Sequence, residues 1–130
     1  MSYSYDKELV LEILNNIAWS VDVILKRSSE IKSYDQFLIS DDGLEKLDSI
    51  CMQFINVGEA LKEIDKITSS DLLKKYDEID WKAAKGMRDV ITHHYFDIDA
   101  EVVFETIRGK LPKLQKILRS MIVDLSGTGN

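Results

Sequence analysis

One proline and six glycines in 130 residues leave little of this chain punctuated for turns, which argues against a many-stranded sheet and for long helices. The single cysteine, Cys51, excludes an internal disulfide and points to a reducing compartment. No apolar run approaches the roughly 20 residues that cross a bilayer. The opening Met1 to Glu8 also lacks the basic leader and apolar stretch of a signal peptide. A cytoplasmic protein with no membrane segment is therefore expected. Positive charge is scarce too. A net charge of −6 argues against bulk, sequence-independent binding of nucleic acid, which needs a basic surface, but it leaves room for an RNA held by a small local patch.

What is present is an ordinary soluble balance, 45% hydrophobic and 31% charged, in a length that fits one domain. Val10, Ile13, Leu14, Ile17, Val21, Ile24 and Leu25 recur at three- and four-residue steps and predict a first helix over 6–28, with Asp6 as its N-cap. Ser28, Ser29 and Ser33 mark its exit, and 34–38 is too short for a helix and predicts a turn plugging the end of a bundle. A second helix is expected over 42–68, capped by Asp41 or Asp42, with Leu44, Leu47, Cys51, Phe54, Leu61 and Ile64 as its stripe. Gly58 inside it costs about 1 kcal/mol against alanine, and close approach of another backbone explains it best. After Ser69, Ser70 and Asp71 break the pattern, 72–76 makes one short turn.

A third helix is expected from near Asp80 through Arg88 to about Thr92, with Trp81 in its first turn. The next begins at Asp97 or Asp99 with Glu101 in its first turn, and Val103, Phe104, Ile107, Leu111, Leu114, Ile117, Leu118 and Met121 form its apolar face. Pro112 requires a kink near Gly109 or a restart with the proline in a first turn. The fold class is all-α: an up-and-down bundle of four main helices plus a short extra helix or turn, in one domain over 1–125, with 126–130 a frayed tail.

Chemistry is concentrated in one stretch. Both histidines, His93 and His94, lie within six residues of Arg88 and beside Tyr95. Histidine trades protons near neutral pH, and arginine offers a planar fork of donors to a phosphate. Together they are a minimal set for cleaving a phosphodiester without metal. On an unbroken helix Arg88 and His93 stand about 140° apart while Arg88 and Tyr95 nearly coincide. Either the helix ends near Thr92 or two chains pool their residues across a twofold axis, and both are expected. The plainer alternative is a solvated or salt-bridged arginine beside two surface histidines. Adjacent histidines do not face one another on a helix, so no metal site is expected. Lys82, Lys85 and Arg88 share a helix face and can guide RNA, although a solvated face is the commoner meaning. Glu59 is expected to be structural, a buried or half-buried acid paired with an arginine, Arg88 among the candidates. Trp19 and Trp81 are expected to pack rather than stack on bases, and Asp97 and Asp99 to cap.

The spacing Arg88-x-x-x-x-His93-x-Tyr95 resembles the signature of HepT-like proteins, a branch of the HEPN (higher eukaryotes and prokaryotes nucleotide-binding) superfamily. Gly58-Glu59-Ala60 is similar to the family's G-E-A on the second helix. Trp81, Gly86, Arg88 and Asp89 match its W-x-x-x-x-G-x-R-N/D lead-in, and Tyr95 to Asp99 with Leu111-Pro112 also resemble its consensus. The resemblance implies a homodimeric, metal- and cofactor-free endoribonuclease toxin with both motifs lining a cleft at the dimer interface, acting on an RNA such as tRNA or mRNA. It implies that Arg88 holds the scissile phosphate, that His93 moves a proton as the 2′-hydroxyl attacks, and that Asp89, asparagine in many members, orients the pair. Aspartate there also adds negative charge and raises the pKa of His93. Tyr95 matches the tyrosine to which a minimal nucleotidyltransferase antitoxin transfers AMP. The competing function is a non-enzymatic helical nucleotide-binding or scaffolding partner of a nucleotidyltransferase, which the acidic charge also fits.

Overall fold

A computed structural model describes residues 5–93 and 98–127, and every segment of them is helix or connection. Five helices follow one another: α1 (Lys7–Arg27), α2 (Asp41–Thr68), α3 (Trp81–His93), α4 (Ala100–Gly109) and α5 (Leu111–Gly127), with single 3-10 turns at Tyr34–Phe37 and Leu73–Lys75. α2 packs on both α1 and α3, α5 packs along α1, and α4 joins α5 to the 34–37 turn. The result is the expected helical bundle. No helix of the described residues is long and apolar enough to cross a membrane.

The ends are fixed by local chemistry. Asp6 accepts from the Leu9 amide at 3.1 Å, and Asp99 Oδ1 accepts from the amides of Glu101 and Val102 at 3.0 and 3.2 Å, so both expected caps are in place. At α2 the cap is Ser40, whose hydroxyl accepts from the Gly43 amide at 3.0 Å. Asp41 and Asp42 fall instead in the first turn, where the helix dipole favours their charge. α2 ends on two left-handed residues, Ser69 (φ 53°) and Ser70 (φ 61°), and the Ser70 amide donates to Asp65 O at 2.8 Å. Asp80 accepts from the Ala83 amide and opens α3. Of the two solutions offered by Pro112 the restart is the one found: α4 stops at Gly109, and the proline is the second residue of α5, where its missing N–H is harmless. α5 carries on through Ser126 and Gly127, two residues past the expected domain end.

The core is continuous, from Val10, Leu14, Ile17, Val21 and Ile24 of α1 through Ile50, Leu61 and Ile64 of α2 to Leu118 and Met121 of α5. Phe37 is fully buried and plugs the bundle end as expected of its turn. Two expectations fail. Leu44 is 41% exposed, because the core-facing line of α2 runs through Gly43, and Leu44 stands about 100° round the helix from it. Trp19 does not pack: it is 58% exposed on the outer side of α1. Trp81 does pack, and its indole N–H donates to the Tyr76 carbonyl at 2.8 Å.

Candidate active site

The site is built where α2 and α3 cross. Gly58 lies in that crossing, and a Cβ added to it would sit 2.6 Å from Arg88 Cβ and 3.1 Å from the Lys85 carbonyl oxygen. The close backbone approach that a mid-helix glycine suggests is thus made, and the element that approaches is the α3 turn carrying Arg88.

The next α2 residue, Glu59, reaches the guanidinium from the side. Arg88 Nε forms an ion pair with Glu59 Oε1 at 2.5 Å, with the N–H poorly aligned for a hydrogen bond, and Arg88 Nη1 donates to Asp89 Oδ1 at 2.8 Å. The hydrogen bond to Asp89 and then the charge of Glu59 raise the Arg88 pKa, so the cation is permanent. The hydrogen bond from Arg88, assisted by the charge of Lys62, holds Asp89 below the usual carboxylate range. Asp89 is shared, since Lys62 Nζ of α2 lies 3.4 Å from its Oδ2. Glu59 is half-buried (51% exposed), and its partner is the arginine expected. Arg88 is 35% exposed: its stem is packed over Gly58 and its charged end is held between carboxylates at the surface.

α3 remains helical through His93, one residue beyond the expected end, so the helix positions of Arg88 and His93 stand about 140° apart. The His93 side chain, and all of His94, Tyr95, Phe96 and Asp97, lie outside the described residues. Of the two lysines on the α3 face, Lys85 is tied to Asp65 of α2 in an ion pair, and Lys82 is exposed. Lys62 was not foreseen. It lies 26 positions before Arg88 in the chain, and no spacing in the sequence shows that α2 and α3 bring it to Asp89.

The other flank of α3 is apolar. A trough of about 440 Å³ between α2, α3, α4 and α5 is lined by Val57, Ala84, Met87, Val102 and Leu114. A second hollow of about 290 Å³ shares Met87 and Val102 with it and adds Val90 and Ile98. Arg88 lines neither. Val90 and Val102 remain exposed there.

An arginine held at the surface between two carboxylates has the charge and the fork of donors to take a phosphate in place of a carboxylate. Comparison with known proteins identifies the family. Residues 6–121 match the family model described as ribonuclease HepT-like. A candidate RNase of Methanocaldococcus jannaschii is 31% identical over 92% of this chain and 96% of its own length. A second candidate RNase from the same organism is 34% identical over 72% of each chain. A candidate ribonuclease HepT of Thermococcus cleftensis is 28% identical over 80% of this chain and 87% of its own. No solved structure matches. The chain belongs to the HepT-like ribonuclease family.

Proposed function

We propose that this ribonuclease is a metal-independent endoribonuclease toxin that cuts RNA at a composite Arg88/His93 site formed by two chains. The observation that carries this reading is the pre-ordered guanidinium of Arg88, fixed over Gly58 by Glu59 and Asp89. Phosphate transfer without a metal needs one group to hold the anion and another to move protons. Arg88 takes the first role, replacing a carboxylate contact with charge-assisted donation to the scissile phosphate. His93 takes the second, removing the proton from the 2′-hydroxyl as its oxygen attacks phosphorus; the bond to the 5′-oxygen breaks, that oxygen leaves as a hydroxyl with a proton from water, and a 2′,3′-cyclic phosphate remains. Asp89 holds Arg88 in register and raises the proton affinity of His93.

The helical separation of Arg88 and His93 favours pooling of motifs from two copies across a twofold axis. Exposed Val90 and Val102 beside the motif offer apolar surface of the kind subunit contact covers. Control falls to Tyr95: a nucleotidyltransferase antitoxin that adds AMP there, in the cytoplasm, places bulk and negative charge beside the phosphate site and silences cleavage.

The test is incubation of the purified protein with total RNA in EDTA. Cleavage that persists in EDTA and is lost in both Arg88→Ala and His93→Ala, but largely kept in His94→Ala, supports the assignment. Undiminished cleavage by Arg88→Ala defeats it. Intact-mass measurement after coexpression with the nucleotidyltransferase tests Tyr95, and Tyr95→Phe should escape inactivation.

A further inference from the structure

We propose that the solvent-facing crease between α2 and α3 is the track along which the RNA backbone lies, with Lys62 and Lys66 of α2 as phosphate-binding residues. This rests on the ribonuclease reading of Arg88 and extends it from one phosphate to its neighbours.

On α2 the residues beside the Gly58 crossing that turn toward solvent are Glu59, Lys62 and Lys66. Lys62 and Lys66 are four residues apart and so share one face. On α3 the facing row is Asp89, Arg88, Lys85 and Lys82. The two helices run antiparallel here, as the pairs Glu59 with Arg88 and Asp65 with Lys85 require. The crease therefore leads away from Arg88 along both helices, with cations on both walls over about 9 Å, the rise of the six residues from Arg88 back to Lys82.

The cations in it are not equally committed. Lys85 is locked by Asp65 and serves the helix crossing. Arg88 is fixed by Glu59 and Asp89. Lys62 makes only long contacts to Asp89, 3.4 and 3.5 Å, and is 42% exposed. Lys66 and Lys82 are exposed and make no ion pair among the described residues. Glu63 also turns to solvent near Lys66, so this wall is not purely basic.

The shared carboxylate locates the first anion. Asp89 Oδ1 lies 2.8 Å from Arg88 Nη1 and 3.5 Å from Lys62 Nζ, so the two cations are close enough for one phosphate, or two consecutive ones, to bridge them. The loose lysine contact breaks first. Lys62 swings from Asp89 to the incoming phosphate while Asp89 keeps its hold on Arg88, and Lys66 takes the next position along the strand. A chain of net charge −6 repels RNA over most of its surface, so a short track of loosely held or unpaired lysines beside Arg88 also sets where the strand can settle.

The test is binding of a fluorescein-labelled single-stranded 2′-O-methyl RNA of mixed sequence, about 12 nucleotides long, which keeps its phosphates but has no 2′-hydroxyl to attack, to the full chain, read by anisotropy across a salt series. The double variant Lys62→Gln/Lys66→Gln is expected to bind about 10-fold more weakly at low salt. Its slope of log affinity against log salt should be shallower by on the order of 1, since each phosphate contact on a single strand contributes about 0.7. Lys62→Arg/Lys66→Arg should restore both values. Lys46→Gln, which removes a lysine paired with Asp42 at the far end of α2, should change neither. A glutamine double variant that keeps wild-type affinity and slope, with its helical circular dichroism intact, overturns the track. Failure of the parent reading registers separately, as undiminished RNA cleavage by Arg88→Ala.

Discussion

Replacing Gly58 by alanine should damage catalysis far more than stability. The added Cβ would stand 2.6 Å from Arg88 Cβ, 3.1 Å from Lys85 O and 3.3 Å from Arg88 N. Carbon atoms rest comfortably at about 3.5–4.0 Å. Two of these three neighbours are backbone and the third is the first side-chain carbon, so no flexible tip can move aside and α3 itself must retreat by about 1 Å. Overpacking of this kind costs about 1–3 kcal/mol, and the better helix propensity of alanine returns about 1 kcal/mol. The net loss is therefore about 0–2 kcal/mol, a fall of only several degrees in melting temperature for a chain of this size. The helix that retreats carries Arg88, and in the phosphate-holding role proposed for it a misplacement of about 1 Å can lower the rate by about 100-fold. Thermal melting by circular dichroism and initial rates of RNA cleavage measure the two effects. Gly86→Ala is the control: it lies two residues from Arg88, nothing stands within 4 Å of its added Cβ, and it should gain up to about 1 kcal/mol. If Gly58→Ala melts higher and cuts at the wild-type rate, the helices do not meet as described and the argument fails.

Two further outcomes are expected. Asp89→Asn removes a carboxylate that stays charged through the working pH range, because Arg88 and Lys62 hold its pKa down. The histidine limb of the pH–rate profile should therefore move to lower pH, and an unmoved limb would separate Asp89 from His93. Burial, with a smaller push from Asp48, raises the Cys51 thiol to about 11, so the neutral thiol is favoured by the fold. The stability this gives is fully present below the ordinary thiol value of 9.0 and is lost as pH rises toward 11. At pH 8 a thiol reagent should label Cys51 only in denaturant, and rapid native labelling would contradict that burial.

Periodicity made the helices legible, because Val10, Leu14, Ile17, Val21 and Ile24 could serve no other geometry. Caps were legible where a single candidate stood, as at Asp6, and at α4, where Asp97 and Asp99 both stood, Asp99 is in place. They were not where Ser40, Asp41 and Asp42 stood in succession: each can cap, and which one does depends on where the preceding turn delivers the chain. That turn is in turn fixed by Gly43, whose added Cβ would meet the Gln36 carbonyl oxygen at 2.2 Å. Trp19 was misjudged because aromatic size predicts burial only on average, while its position on α1 points away from both α2 and α5. Lys62 escaped notice for a different reason. Pairing across two helices depends on their crossing, and a sequence records the two faces without recording which meet.

Gly58 and Glu59 are best understood as one device. The glycine lets α3 come close enough for the Arg88 stem to lie against α2, and the next residue, about 100° further round the helix, is thereby aimed at the guanidinium edge rather than at the core. A longer side chain at 58 would hold α3 off and leave Glu59 reaching across a gap. A neutral residue at 59 would leave the arginine edge to water and to Asp89. An acidic protein can handle an anionic substrate on this plan because its carboxylates at the site are already committed to Arg88 and Lys62. On the proposed reading a phosphate approaching Arg88 meets carboxylates that already hold a cation, and the bare charge of Glu63 stands further along, near Lys66. The phosphate trades places with a carboxylate oxygen, so the cost of binding is set by how tightly each pair is held, and the loosest of them is Lys62 with Asp89.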